Sequence, residues 1–426
     1  MMGVGRRLGF GEVRMHLMHA LFAGTTQGAF ALRVRGPLDV AAFTRAVDLV
    51  RRRHAMLNAV IVQDGGEFRF ASRPEDGIER VSVRRREGED TWLRVLHDEN
   101  HTPLDPGRQL WRVVVLAPAP GEEPVHDLLL IMHHAVMDAG GADTFLGQVL
   151  EEVTGTTQSE HAPLTAIPPA AESATRSAIP WERFLAAQRE QAEKTRAVNP
   201  PPHLEAAPLA ARRTVVAPFR LDAEHRRAAD AFCADRGVSF NSYVSAALLS
   251  SVLAATPERR SFALYTAVSL RRVCDGIRED DFGCYLSVVP TFHEVPASGF
   301  DLGALAAEHH QSLQRSFLSY ARPPADYPTA DVLRQMEGLT ALRTFANDVG
   351  FTYAESRLRT SYGPLRLEHA YVAANRSIGN VAIILHGLRL GEEVFFTLSH
   401  TAPLADSRWA AKVQRALESL VTRGPA

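Results

Sequence analysis

Two adjacent histidines, His133 and His134, close the apolar run VHDLLLIMHH, and Asp138 follows in HHAVMD. Imidazole, with an unperturbed pKa of about 6.5, titrates near neutral pH, so a histidine at a strand end suits deprotonation of a hydroxyl or amine. Successive strand side chains point to opposite faces, so the two rings should not act as a joint ligand pair. One should brace the strand end while the other faces a cleft as a general base, with Asp138 fixing the loop. A purely structural histidine explains the same pattern. A third reading is a metal held by His134 and Asp138, four residues apart; Gly140 and Gly141 argue against a helix there, and no third ligand is near.

The elements that must position these residues are legible as periodicities. FALRVRG (30–36), LNAVIVQD (57–64) and EFRFAS (67–72) alternate like strands, and 38–54 carries a helical apolar face. WRVVVLAP (111–118) and VHDLLLIMHH (125–134) are apolar enough for strands buried on both faces. Phe145, Leu146, Val149, Leu150 and Val153 predict a helix, with Asp143 as its N-cap. From 154 to 211 a Pro-, Ala- and Ser-rich connector with one charged helix (181–197) is expected. Beyond it, RRTVVAPFRL and FALYTAVSLRR read as strands, DAEHRRAADAFCADRG as a helix closed by Gly237, and SFNSYVSAALLSSVLAATP as a buried helix. VAIILHGLRLGEEVFFTLSH reads as a hairpin over residues 391–393.

A chain of 426 residues suits two lobes. Its 46% apolar and 23% charged content is that of a globular protein, and a net charge of −2 gives no positive field for nucleic acid. The basic residues are nearly all Arg; only Lys194 and Lys412 are lysines. Arg runs at 51–53, 84–86 and 212–213 could meet an acidic carrier protein or a phosphate, with solvated surface as the plainer reading. MMGVGRRLGF lacks the apolar core of a signal peptide, and the longest apolar runs fall far short of the ~18 residues that span a bilayer. Cys233, Cys274 and Cys284 form no CxxC pair, so reduced thiols and a cytoplasmic location are expected. His54 and His400 read as structural element-end residues, and nothing beside Cys284 would make it a nucleophile.

HHAVMD resembles the HHxxxDG motif of the chloramphenicol acetyltransferase-like superfamily, which includes peptide condensation domains and polyketide-associated acyltransferases. His133, His134 and Asp138 match; Ala139 replaces the motif glycine, with Gly140 and Gly141 one step later. The similarity extends through LRVRGPLDVAAFTRAVDLVRRRHAMLNAVIV, TPLDPGRQLWRVVVL and SFNSYVSAALL. In AVSLRRVCDGIREDDFGCYLSVVP, Ser269 and Cys284 stand where Asp and Asn are common, and ANDVG (346–350) falls where a further family segment recurs.

The resemblance implies an α/β fold of two such lobes, each a mixed sheet flanked by helices, with a tunnel between them. Boundaries at 1–153, 154–211 and 212–426 are expected for first lobe, connector and second lobe. His134 is the implied base, His133 a brace, and Asp138 the partner of Arg271, with Gly140 supporting the loop. The resemblance further implies no bound cofactor, a coenzyme A or phosphopantetheinyl carrier-protein thioester as acyl donor, and a small-molecule hydroxyl or amine as acceptor. A monomeric, freestanding acyltransferase of natural-product or lipid assembly is expected, against an amide-forming condensation enzyme or a degenerate carrier-binding domain.

Overall fold

The computed structural model describes residues 3–73, 77–156, 166–175, 178–296 and 299–422. The chain begins β1 (Gly3–Arg7), α1 (Phe10–Leu21), β2 (Gly28–Arg35), α2 (Val40–Arg53), β3 (Ala59–Asp64), β4 (Glu67–Ser72) and β5 (Val81–Arg85). It continues through α3 (Thr91–Asn100), β6 (Trp111–Ala117), β7 (Val125–Met132) and α4 (Ala139–Thr154). Next come α5 (Ala171–Ala174), α6 (Trp181–Ala197), β8 (Arg213–Leu221), α7 (Ala223–Arg236), α8 (Phe240–Ala255) and β9 (Ser261–Ser269). Then follow β10 (Leu286–Glu294), α9 (Leu302–Leu318), α10 (Thr329–Gly338), β11 (Asn347–Glu355) and β12 (Ser361–Tyr362). Last are β13 (Leu365–Ala374), β14 (Val381–Leu390), β15 (Glu393–Ala402) and α11 (Ser407–Thr422).

Two mixed six-stranded sheets result. One runs β12-β13-β2-β7-β6-β5, the other β10-β9-β11-β14-β15-β8; a small third sheet, β1-β4-β3, completes the fold. The apolar runs AFAL of β2 and LLLIM of β7 follow from burial on both faces. Phe30, Leu32, Leu128 and Leu130 face a core shared with α1, α2 and α4, while Ala29, Ala31, Leu129 and Ile131 face Trp92 and Leu96 of α3. In the second lobe α8 is buried nearly all round, its N-terminus capped by Ser239, and Gly237 ends α7 in the left-handed conformation at φ +62°. Among the described residues no single helix is long and apolar enough to cross a membrane.

Several expectations need correction. The division at 212 fails for β12 and β13, which lie in the first sheet: β13 pairs antiparallel with β2 from Arg366↔Arg35 to Ala374↔Gly28 and covers an edge that would otherwise be open. The segment 154–211 is more than a connector. Trp181 and Phe184 of α6 meet Phe10 edge-to-face, at ring distances of 5.8 and 5.0 Å, and belong to the first core; residues 157–165 and 176–177 lie outside the described residues. The β14–β15 turn is Gly391-Glu392 alone, because Glu393 already pairs with Leu390. Helix α4 starts at Ala139, so Gly140 and Gly141 are helical and Asp138, not Asp143, is the N-cap. The cap bond to the Gly141 N–H offsets the poor helix propensity of glycine, and a side chain at either position would fit only tightly. A Cβ at 140 would stand 3.2 Å from Arg271 Nε, and one at 141 would stand 3.0 Å from Met137 Cγ.

Candidate active site

His133 and His134 lie just past the end of β7, in the turn that leads into α4. Neither is in the strand, so strand alternation does not set the directions of their rings. His133 is 1% exposed and enters the first core, its ring 4.7 Å from that of His19 and 5.9 Å from that of His16. Its Nδ1 accepts the Ala135 N–H at 3.1 Å, and its own N–H donates to the Leu110 carbonyl. Burial, then His19 and His16, hold its pKa well below the ordinary histidine value. This ring braces the turn and stays neutral.

His134 is half-buried. Nδ1 is enclosed without an aligned hydrogen bond, though the carbonyls of His134 itself and Met137 lie beside the ring. Burial lowers its pKa; Asp138 opposes that shift and Arg376 adds to it.

Asp138 is saturated. Oδ1 accepts from the Gly141 N–H at 2.9 Å and Arg271 Nη2 at 2.7 Å; Oδ2 accepts from Arg271 Nε and the Tyr285 N–H, at 3.2 and 3.3 Å. Arg271 also donates to the carbonyls of Arg278 and Glu279 and lies over the Tyr285 ring. One carboxylate thus fastens the first-lobe turn to the second lobe, and with its oxygens taken it is a poor metal ligand beside His134. The structure adds a second clasp that the sequence does not signal: Asp143 accepts from Ser356 Oγ at 2.8 Å and the Arg357 N–H at 2.7 Å. Burial pushes its carboxyl up to about 6.

Other singled-out residues are structural. His54 Nε2 bonds Gln148 Oε1 at 2.8 Å, and His400 Nε2 bonds Ser407 Oγ at 2.8 Å. Ser269 Oγ accepts the Arg271 N–H at 3.3 Å. Burial raises the Cys284 thiol well above its usual range, which makes it inert. The Arg runs at 51–53 and 84–86 are largely neutralised: Arg51 meets Asp48 at 2.8 Å, Arg53 meets Glu152 at 2.6 Å, Arg84 meets Glu99 and Arg86 meets Asp127 at 3.2 Å; Arg212 and Arg213 donate instead to backbone carbonyls. Two residues beside His134 go unmarked in the sequence, Arg376 and His386; both register electrostatically with its ring or with each other. Nothing in their spacing ties them to the motif.

The whole chain superposes on several solved structures. TRI3 trichothecene 15-O-acetyltransferase from Fusarium sporotrichioides matches with TM-score 0.76 at 11% identity, covering 99% of this chain and 95% of that one. The first condensation domain of the calcium-dependent antibiotic synthetase matches with TM-score 0.73 at 15% identity, covering 99% and 97%. This is the fold of the condensation domains and their acyltransferase relatives. Polyketide synthase associated protein 5 from Mycobacterium tuberculosis shares the condensation fold as well, with TM-score 0.68, 17% identity and coverage of 100% and 99%. In sequence, cyclosporin synthetase simA of Tolypocladium inflatum is 31% identical over 147 residues, 33% of this chain. Nonribosomal peptide synthetase dtxS1 of Metarhizium robertsii is 30% identical over 142 residues, 32% of the chain. These matches span only 1% and 2% of the relatives' own lengths. No family model matches the chain.

Proposed function

We propose that the chain is an acyltransferase that moves an acyl group from a coenzyme A or carrier-protein thioester to a hydroxyl or amine. The carrying observation is the half-buried His134 ring, its Nδ1 enclosed and its turn pinned to the other lobe through Asp138 and Arg271. A proton on Nδ1 faces the carbonyls beside the ring, which leaves the Nε2 lone pair to act as base. The acceptor O–H or N–H gives its proton to Nε2 as its heteroatom bonds to the thioester carbonyl carbon. The C–S bond then breaks, and the proton passes to the departing thiolate. Burial, by lowering the pKa of His134, keeps it unprotonated and ready at neutral pH.

His134→Ala should lower thiol release from an acyl-coenzyme A panel by ~10²–10⁴-fold, with an unchanged circular dichroism spectrum. Near-wild-type release by a folded variant sinks the assignment. Likeness to TRI3, named an O-acetyltransferase, favours ester formation. The peptide-synthetase relatives favour an amide product as the second reading. Mass spectrometry of products from paired alcohol and amine acceptors separates the two.

A further inference from the structure

Arg376 stands where the chain leaves β13 of the first sheet for β14 of the second. Its backbone is clamped on both sides: the N–H donates to Thr214 Oγ1 and the carbonyl accepts from Thr401 Oγ1, each at 2.7 Å. Next to it, Asn375 Nδ2 donates to the carbonyls of Ala23 and Asn100, at 3.1 and 2.7 Å, and the Ile378 N–H donates to Thr25 Oγ1 at 2.9 Å. The segment is therefore sewn to both lobes, and the origin of the side chain is fixed.

The guanidinium, by contrast, has no acid. Among the described residues Arg33, Arg259 and Arg271 are answered by Asp127, Asp348 and Asp138; Arg376 forms no ion pair and its enclosed Nε has no hydrogen-bond partner. Burial with nothing to offset it holds its pKa down to about 10. Around it are His134 and His386, whose enclosed Nδ1 has no aligned hydrogen bond although the Thr397 carbonyl lies beside the ring. On the neighbouring strand Ser399, with an unpartnered buried Oγ, shares a face with Thr401, whose hydroxyl holds Arg376. An unanswered cation beside the base is unfavourable twice: it is desolvated, and it weakens the base's affinity for a proton. A bound anion relieves both.

We propose that Arg376 is the receptor for a carboxylate carried by one of the two substrates, docked within electrostatic reach of His134. The planar fork of guanidinium matches a carboxylate with two parallel hydrogen bonds. The proposal rests on His134 serving acyl transfer, but binding can be read without turnover.

The test uses the full chain, with acetate, benzoate and succinate against acetamide and benzamide, followed by thermal melting and titration calorimetry. The carboxylates should stabilise the wild type and bind Arg376→Gln about tenfold more weakly or worse, with Arg376→Lys intermediate; the amides should do neither. Carboxylates that bind no better than amides, or equally well to Arg376→Gln, overturn the proposal. Should the glutamine variant not fold, Arg376→Lys carries the same comparison. The source of the carboxylate is read from turnover with malonyl- against acetyl-coenzyme A and lactate against lactamide. The arm in which Arg376→Lys raises KM for the charged partner, with kcat held, identifies it. An equal fall in kcat for charged and neutral pairs in both arms overturns the proposal, since the residue would then act on the reacting carbonyl oxygen. His134→Ala, run alongside, reports on the acyl-transfer reading independently, because carboxylate binding survives its failure.

Discussion

Asp138 uses two oxygens to cap a helix, bind an arginine bidentately and accept a backbone N–H from the opposite lobe. With side-chain exposures of 11% for Arg271 and 8% for Asp138, the pair belongs with buried ion pairs, where removing one partner strands the other. Arg271→Met should lower unfolding stability by about 3 kcal/mol. Adding Asp138→Asn should cost less than the sum of the single changes. Denaturant titration of the four variants checks this, and simple additivity would show that the pair is not coupled. Thiol release should fall in both single variants, because the turn holding His134 loses its anchor. At this scale the sequence is partly readable. His134 and Asp138 announce themselves by spacing, and Arg271 through the resemblance of its surrounding segment. Arg376 and His386 do not, because what brings them to His134 is a lobe crossing that no local pattern records.

Helix α4 and the β2–β13 pairing show how packing overrides local preference. Gly140 and Gly141 read as breakers, yet the helix runs through both because Asp138 caps it and larger residues would crowd Arg271 and Met137. Nothing in LRLEHAYVAA (365–374) records which sheet it joins, so a boundary placed by sequence alone leaves the first lobe too short. Gly36 matters to that pairing. It sits at φ +128°, and a Cβ there would come 2.5 Å from the Pro364 carbonyl oxygen, at the turn that starts β13. Gly36→Ala should therefore cost about 2 kcal/mol or more, seen as a fall of several degrees in melting temperature. Gly65→Ala, at φ +57° with open space around it, should cost less. Equal losses would show that φ strain, and not the blocked approach of β13, sets the penalty.

Across the molecule, many histidines are buried neutral. Burial lowers His16 and His400 to about 4, and His309, His369 and His386 to about 3. Unfolding frees these rings to bind protons below about 6.5, while the native state refuses them until near 4. Stability present above about pH 6.5 should thus be lost as pH falls toward 4. Asp143, raised to about 6, acts in the opposite sense, since its native carboxyl takes a proton more readily than the unfolded one. Two raised carboxyls, Asp143 and Glu172, against these five histidines leave the net slope positive. Melting temperature should be lower by several degrees at pH 5 than at pH 7.5; a flat or inverted profile would mean the rings are hydrated in the native state.

The shared strand also sets the order in which the protein can be made. β2 emerges from the ribosome well before its partner β13, which among the described residues follows every helix but α11. Until then the nascent chain carries an unpaired ladder of backbone groups next to a finished β7. Completion of the first lobe is therefore a late, post-assembly event, and a ribosome stalled before residue 365 would display a half-built sheet with a sticky rim.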